Sequence, residues 1–179
     1  AAPPSQAVVA ARDLVLGRAA MYNPARSLKP QTFAAAPGAP ASEDTTGGGA
    51  RCDFCRWESL TAADSFGRVE NEHCVSASNL FKVTPSHGLV LFKHHEPLEF
   101  SEAHVGAVLD CAARWLGAAA AAAGPGQAQH GLMGWNALPR AGASQYHGHA
   151  QCFLSPEPFP AQAAREDAAV AWAGGSVGA

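Results

Sequence analysis

Charge is scarce in this chain: 12 Lys and Arg stand against 15 Asp and Glu, a formal net charge of -3, and only 15% of the 179 residues are charged. Nucleic acid and acidic membrane surfaces would feel no overall attraction, so broad binding to either is excluded and any phosphate recognition must be local. Long runs of large apolar residues are also missing. The uncharged stretch Leu116–Gly134 is mostly Ala and Gly and is interrupted by Pro125, so the sequence predicts no transmembrane span. An even set of cysteines is lacking too. There are five, and Cys52 and Cys55 sit at metal or redox spacing, which argues against a secreted disulfide framework and for a reducing, cytoplasmic setting. Acids are nearly absent from residues 1–42, where Asp13 stands alone, and the chain opens on Ala1 without methionine. A processed chain or a fragment is expected, with a plastid transit-peptide remnant as the alternative to a cytoplasmic protein.

What is present fits one domain. Hydrophobic residues reach 47%, a share inflated by alanine. Residues 8–22 have patchy helical spacing ended by Asn23-Pro24, which predicts a short helix. From Pro37 to Ala50 the composition turns to Pro, Ala, Ser, Thr and a triple glycine, the signature of a flexible linker. Residues 1–50 are therefore read as an extension and linker, 51–160 as the folded domain, and 161–179 as an alanine-rich tail. Within the domain, Val75–Val83 and Gly88–Lys93 read as two strands joined by Thr84-Pro85-Ser86-His87. Ser101 can cap a helix whose apolar face carries Val105, Val108, Leu109, Ala112, Trp115 and Leu116, stopped by Gly124-Pro125. Leu132–Ala137 and Tyr146–Leu154 read as further strands. Strand, strand, helix, strand, strand predicts an α+β sheet with one face covered.

The last strand carries the chemistry. In Tyr146-His147-Gly148-His149-Ala150-Gln151, alternation places His147, His149 and Gln151 on one face over ~7 Å, with the small Gly148 and Ala150 on the other, where a helix can approach. Two histidines in a strand are also compatible with ordinary hydrogen bonding. The preceding Ala141-Gly142-Ala143-Ser144 turn offers a hydroxyl and free backbone N–H groups, which suit a phosphate. Cys52-Asp53-Phe54-Cys55 is half of a zinc site by spacing, or a pair of free or redox-active thiols.

Asn136, the Ala141–Ser144 turn and His147-x-His149-x-Gln151 together resemble the galactose-1-phosphate uridylyltransferase branch of the histidine-triad (HIT) superfamily, over residues 51–160. The resemblance implies a HIT-like antiparallel sheet with a covering helix, one half of a double-HIT fold. It implies a nucleotidyltransferase that moves a nucleoside monophosphate from a nucleotide sugar or dinucleoside polyphosphate to a phosphorylated acceptor, with His149 as the nucleophile. The carbonyl of His147 would fix the tautomer of His149. Gln151 stands where the hydrolase branches carry a third histidine, and an amide favours transfer over hydrolysis because it donates a hydrogen bond but shuttles no protons. Ser144 would touch phosphate, Asn136 the nucleotide site, and Asn79 and Phe81 the base and ribose pocket. The family pattern completes a structural zinc site of Cys52, Cys55, His95 and His147, with His94 as the near alternative to His95. The second half of the double fold is not recognisable here, and a homodimer would rebuild part of it. The rival readings are a non-catalytic, zinc-stabilised nucleotide-binding module and a HIT-type nucleotide hydrolase.

Overall fold

The computed structural model describes residues 6–13, 15, 19–33, 44–127 and 130–175. Part of the stretch read as a linker, residues 37–43, lies outside them. The chain begins with β1 (Val9–Arg12) paired antiparallel to β2 (Ala19–Tyr22). This corrects the helix expected over residues 8–22. Alternating Val, Ala and Met side chains satisfy a two-stranded ladder as well as they satisfy a patchy helical period, and the ladder pairs both backbones. A 3-10 turn over Pro24–Leu28 follows, capped by Asn23, whose side chain accepts from the Ala25 N–H at 2.9 Å.

A four-stranded antiparallel sheet forms the centre, in the order β3 (Cys74–Ser78), β4 (Ser86–Phe92), β6 (His149–Ser155), β5 (His130–Gly134). The α+β class, with an antiparallel sheet and one covering helix, is the architecture expected. One face carries Val90, Phe92, Ala150, Cys152 and Leu154 and is covered by α2 (Glu102–Ala123), which contributes Val108, Cys111, Ala112, Trp115 and Ala119. α2 begins where expected: the Ser101 hydroxyl accepts from the His104 N–H, and the His104 ring accepts from the Ser101 N–H. Its buried stripe differs from the predicted one at Leu109, which is 56% exposed, while Cys111 and Ala119 are buried. α2 is long and apolar enough to cross a membrane by length and composition; here the Trp115 stripe is covered by the sheet. Gly88 lets it approach, since a Cβ there would sit 2.4 Å from the Trp115 ring.

The opposite face of the sheet is built from Val75, Ala77, Leu89 and Leu91, with Phe54 and Trp57 packed against it. Trp57 opens the short helix α1 (Trp57–Leu60). Because strand side chains alternate, β6 sends Ala150 and Cys152 toward α2 and His149 and Gln151 to this second face, opposite Leu91 and Leu89 of β4. Two stretches carry more structure than composition suggests. Residues 44–50 form consecutive turns against His95, and Pro160–Gly175 is helical (α3).

Candidate active site and metal centre

His149 is the first residue of β6 and is 6% exposed. Its Nδ1–H donates to the carbonyl oxygen of His147 at 2.8 Å, so the lone pair is on Nε2. Burial lowers its pKa to about 4, partly offset by that carbonyl, with the Lys29 charge lowering it further. A neutral imidazole with one fixed tautomer and a free nitrogen is the form that can act as a nucleophile at neutral pH.

The ring forms part of the wall of a cleft with about 660 Å³ of empty space, its open mouth included, lined also by Lys29, Phe54, Asn79, Phe81 and Gln145. The expected pocket residues Asn79 and Phe81 are thus in the same wall as His149. Asn79 is buried, its Oδ1 accepting from the Phe81 N–H at 2.9 Å. Ser144 is also buried, and its Oγ has no hydrogen-bond partner among the described residues. Such an orphaned hydroxyl costs stability unless something accepts or donates there. Asn136 lies apart from the cleft, in a smaller cavity shared with Tyr146, His147, Gly148 and His149.

Gln151 is on the His149 face but does not line the cleft; its carbonyl is engaged from beneath by His87. That imidazole is fully buried. Its Nδ1 accepts from the Val83 N–H at 3.2 Å, so Nε2 carries the proton and donates to Gln151 Oε1 at 3.1 Å. The Asn79 amide nitrogen lies 3.0 Å from the same Nε2 and also presents hydrogens, so of the two neighbours only the Gln151 carbonyl can accept. Burial lowers the His87 pKa to about 3, with the Gln151 bond opposing it and Arg26, Lys82 and Lys29 adding to it. Held by its oxygen, the Gln151 amide keeps Nε2 free of any bond among the described residues.

Lys29 was not singled out by its sequence context. It follows the Pro24–Leu28 turn, lines the cleft with His149, and makes no ion pair among the described residues. Burial, and Arg26 beside it, lower its pKa to about 8. A cation desolvated without a partner is a standing cost that an anion in the cleft would remove.

Cys52, Cys55, His95 and His147 converge, with one potential ligand atom from each all within 4.8 Å of one another. Both histidines present Nδ1 to the thiols: His147 Nδ1 lies 3.6 Å from Cys52 Sγ and 3.4 Å from Cys55 Sγ, and His95 Nδ1 lies 3.3 Å from Cys55 Sγ. His95 is the member of this cluster; His94 instead stacks on Phe92 at 4.9 Å. His147 precedes β6 rather than lying within the strand, and its Nε2–H donates to the Phe92 carbonyl at 2.7 Å. Cys55 is exposed at the surface, but partial desolvation of its thiol, and Cys52 beside it, raise its pKa. Gly49, at φ +90°, packs against the group: a Cβ there would lie 2.9 Å from Cys55 Sγ and 3.1 Å from the His95 ring. Between the two cysteines, Asp53 and Phe54 reach the cleft, and the Phe54 ring meets His149 edge-on at 5.4 Å.

No family model matches the chain, and no curated protein does. Among solved structures it is similar to several of one class, the HIT proteins. A HIT family protein from Bacillus anthracis shares 20% identity over 58% of this chain and 70% of that one, with a TM-score of 0.46. A HIT family hydrolase from Clostridium thermocellum shares 18% over 58% of this chain and 90% of that one, with a TM-score of 0.42. A particular enzyme of similar likeness is an ADP-glucose phosphorylase from Arabidopsis thaliana with bound ADP-glucose: 19% identity, 85% of this chain, half of that chain, and a TM-score of 0.46. All three likenesses are remote, at 20% identity or less.

Proposed function

We propose that the chain is a nucleotidyltransferase of the HIT type, in which His149 takes a nucleoside monophosphate from a nucleotide sugar or dinucleoside polyphosphate and passes it to a phosphorylated acceptor. The observation that carries this reading is the His149 ring itself: Nδ1–H is tied to the His147 carbonyl at 2.8 Å, and the ring stands in a cleft wall that also holds Lys29, which has no ion pair among the described residues. In the first half-reaction the Nε2 lone pair attacks the α-phosphorus, an N–P bond forms, and the phosphoanhydride P–O bond breaks with its electrons leaving on the departing phosphate. The Nδ1 proton stays in place, and the His147 carbonyl stabilises the charge that develops on the ring. In the second, an acceptor phosphate oxygen attacks the same phosphorus and the N–P bond breaks, which restores the neutral imidazole. Lys29, in the cleft wall, is suited to the phosphate charge; the Ser144 hydroxyl and the Gln151 amide nitrogen, neither of which lines the cleft, would meet its oxygens only where the phosphate sits against the start of β6. A neutral amide at position 151 relays no proton to water, which favours an acceptor over hydrolysis.

Zinc fits the four converging residues. Ligand bonds of about 2.3 Å to sulfur and about 2.0–2.1 Å to nitrogen place tetrahedral ligand atoms about 3.5 Å apart; three of the thiol–imidazole pairs here lie at 3.3–3.6 Å, and the four ligand atoms together lie within 4.8 Å of one another. Cys52, Cys55, His95 and His147 would hold it through Sγ and Nδ1. Its chemistry would be structural: a closed site with no open position, fixing His147, whose carbonyl holds His149. The acceptor pocket is proposed to be completed by a second copy of the chain.

The test is a chase. The chain is incubated with labelled ADP-glucose, UDP-glucose or a dinucleoside polyphosphate, desalted, and divided between water and phosphate or a sugar phosphate. Base-stable, acid-labile label that persists in water, leaves only with the acceptor and is absent from His149→Ala supports the reading. Label released to water as nucleoside monophosphate identifies a hydrolase, and nucleotide binding without label identifies a non-catalytic module; either result refutes it.

A further inference from the structure

The two imidazoles that face the thiols differ in what holds them from behind. His147 gives its outer N–H to a backbone carbonyl, which any sequence could supply. His95 gives its own to a side chain outside the four-residue cluster. Its Nε2 lies 3.3 Å from Asp44 Oδ2 and 3.2 Å from Thr46 Oγ1. The Asp44 carboxylate is built into position: Oδ1 accepts from the Thr46 N–H and the Thr46 hydroxyl, each at 2.7 Å, and Oδ2 accepts from the Gly48 N–H at 2.8 Å. Thr46 Oγ1 in turn accepts from the Gly49 N–H at 3.1 Å. Three donors from its own turn fix the carboxylate against the His95 ring, with Oδ2 at 3.3 Å from Nε2. A carboxylate that fixes the tautomer and orientation of a ligating imidazole also raises its basicity. Thr46 shares the same N–H but brings no charge.

Asp44 also belongs to a second set of contacts. It forms an isolated bridge with Phe33, and the Thr45 N–H donates to the Thr32 carbonyl at 3.2 Å. Thr32 is tied to the turn before the catalytic strand: its N–H donates to the Ser144 carbonyl at 3.0 Å, and its hydroxyl accepts from the Tyr146 N–H at 2.7 Å. Gln145 Nε2 donates to the Pro30 carbonyl at 2.7 Å. The Tyr146 ring lies between Phe33, at 5.8 Å, and His95, at 5.3 Å. Lys29 immediately precedes this strap, on the cleft side.

We propose that Asp44 is the positioning residue for the metal ligand His95, and that through the Phe33–Asp44 bridge it makes metal occupancy the clamp that seats the Pro30–Phe33 strap, and Lys29 with it, against the His149 turn. This rests on the metal reading above and adds to it a residue, a direction of coupling and a consequence for the cleft. With zinc bound, His95 is fixed by the cluster on one side and its N–H holds Asp44 on the other. Without it, the ring is free to turn, and the Asp44–Phe33–Thr32 chain loses its anchor.

The experiment compares the wild type, Asp44→Asn, Thr46→Val and Cys55→Ala as metal-free full chains. Zinc is titrated in competition with a chromogenic chelator, and amide hydrogen exchange is followed by mass spectrometry with and without zinc. Asp44→Asn keeps the shape of the side chain and removes its charge. Zinc affinity should fall ~10- to 100-fold in Asp44→Asn, the range for loss of such an outer partner, and less in Thr46→Val. Zinc should slow exchange at the Thr32 and Thr45 amides in the wild type, and much less in Asp44→Asn even when the variant is saturated. The visible bands of the Co2+ form should shift in Asp44→Asn, a change in the ligand field that a general loss of stability does not produce. A wild type that binds zinc no more tightly than Cys55→Ala overturns the metal reading and this inference with it. Tight wild-type binding with affinity, bands and strap exchange all unchanged in Asp44→Asn overturns this inference alone, as does a Thr46→Val loss that exceeds the Asp44→Asn loss.

Discussion

Replacing His87 by Asn tests whether a residue with no place in the HxHxQ pattern orients one that has. The carbonyl of Asn can stand where His87 Nδ1 accepts the Val83 N–H, but nothing then reaches Gln151 Oε1, 3.1 Å from His87 Nε2. Leaving that carbonyl unpaired costs about 1–3 kcal/mol. The missing ring atoms, which pack on Phe153 at a centroid distance of 4.3 Å, add about 1 kcal/mol. A loss of roughly 2–4 kcal/mol is therefore expected in urea unfolding at pH 7.5. Nucleotide transfer should slow by about 10- to 100-fold, somewhat less than removal of a positioned donor outright. His87→Gln reverses the assignment: its amide can donate to Gln151 but leaves Val83 unpaired, so it should be no more stable than His87→Asn and yet transfer faster. Equal transfer rates in the two variants, with unequal stability, would refute a positioning role. A pH series gives an independent check. A histidine held at about 3 in the fold against about 6.5 unfolded stabilises the fold fully above pH 6.5 and progressively less as pH falls toward 3, by up to roughly 5 kcal/mol. Unfolding midpoints measured from pH 7 to pH 4 should fall less steeply in His87→Asn than in the wild type, and parallel slopes would contradict the assignment.

Lys29→Met keeps the aliphatic stem and removes the charge. It should lower kcat/KM by about 10- to 100-fold, the worth of a hydrogen bond to a charged group, and should leave the thermal midpoint unchanged or higher because the lysine has no ion pair to lose among the described residues. A lower midpoint with unaltered kinetics would show that the cation serves the fold rather than the cleft. Gly88→Ala drives a methyl group against Trp115 and should cost about 1–3 kcal/mol or more in denaturant unfolding; a neutral result would mean that α2 packs farther from the sheet than described.

What could be read from the sequence was local. Ser101 announces α2 because a cap and its helix are neighbours in the chain, and the alternation of His149, Ala150, Gln151 and Cys152 announces a strand with one face on a helix and one on a site. The CxxC pair, with His95 and His147, was legible through a resemblance, and the structure brings those four side chains together. His87, Lys29 and Asp44 could not be found this way. Each acts on a residue tens of positions away: His87 on Gln151, Lys29 in the wall beside His149, Asp44 on His95. None sits in a period or spacing that marks it. Low-complexity composition hid the most: the triple glycine that suggests a flexible linker includes Gly49, whose missing Cβ leaves room for Cys55 and His95. The N-terminal hairpin was missed for a related reason, since its Ala-rich strands carry too few large apolar residues to show a period of two.

Intact protein mass after incubation with each donor tests the central chemistry most directly. The mass should rise by one nucleoside monophosphate residue in the wild type, peptide mapping should place the addition on His149, and His149→Ala should show none. A folded wild-type chain that gains no mass with any donor, or gains it at a residue other than His149, would contradict the proposed nucleophile.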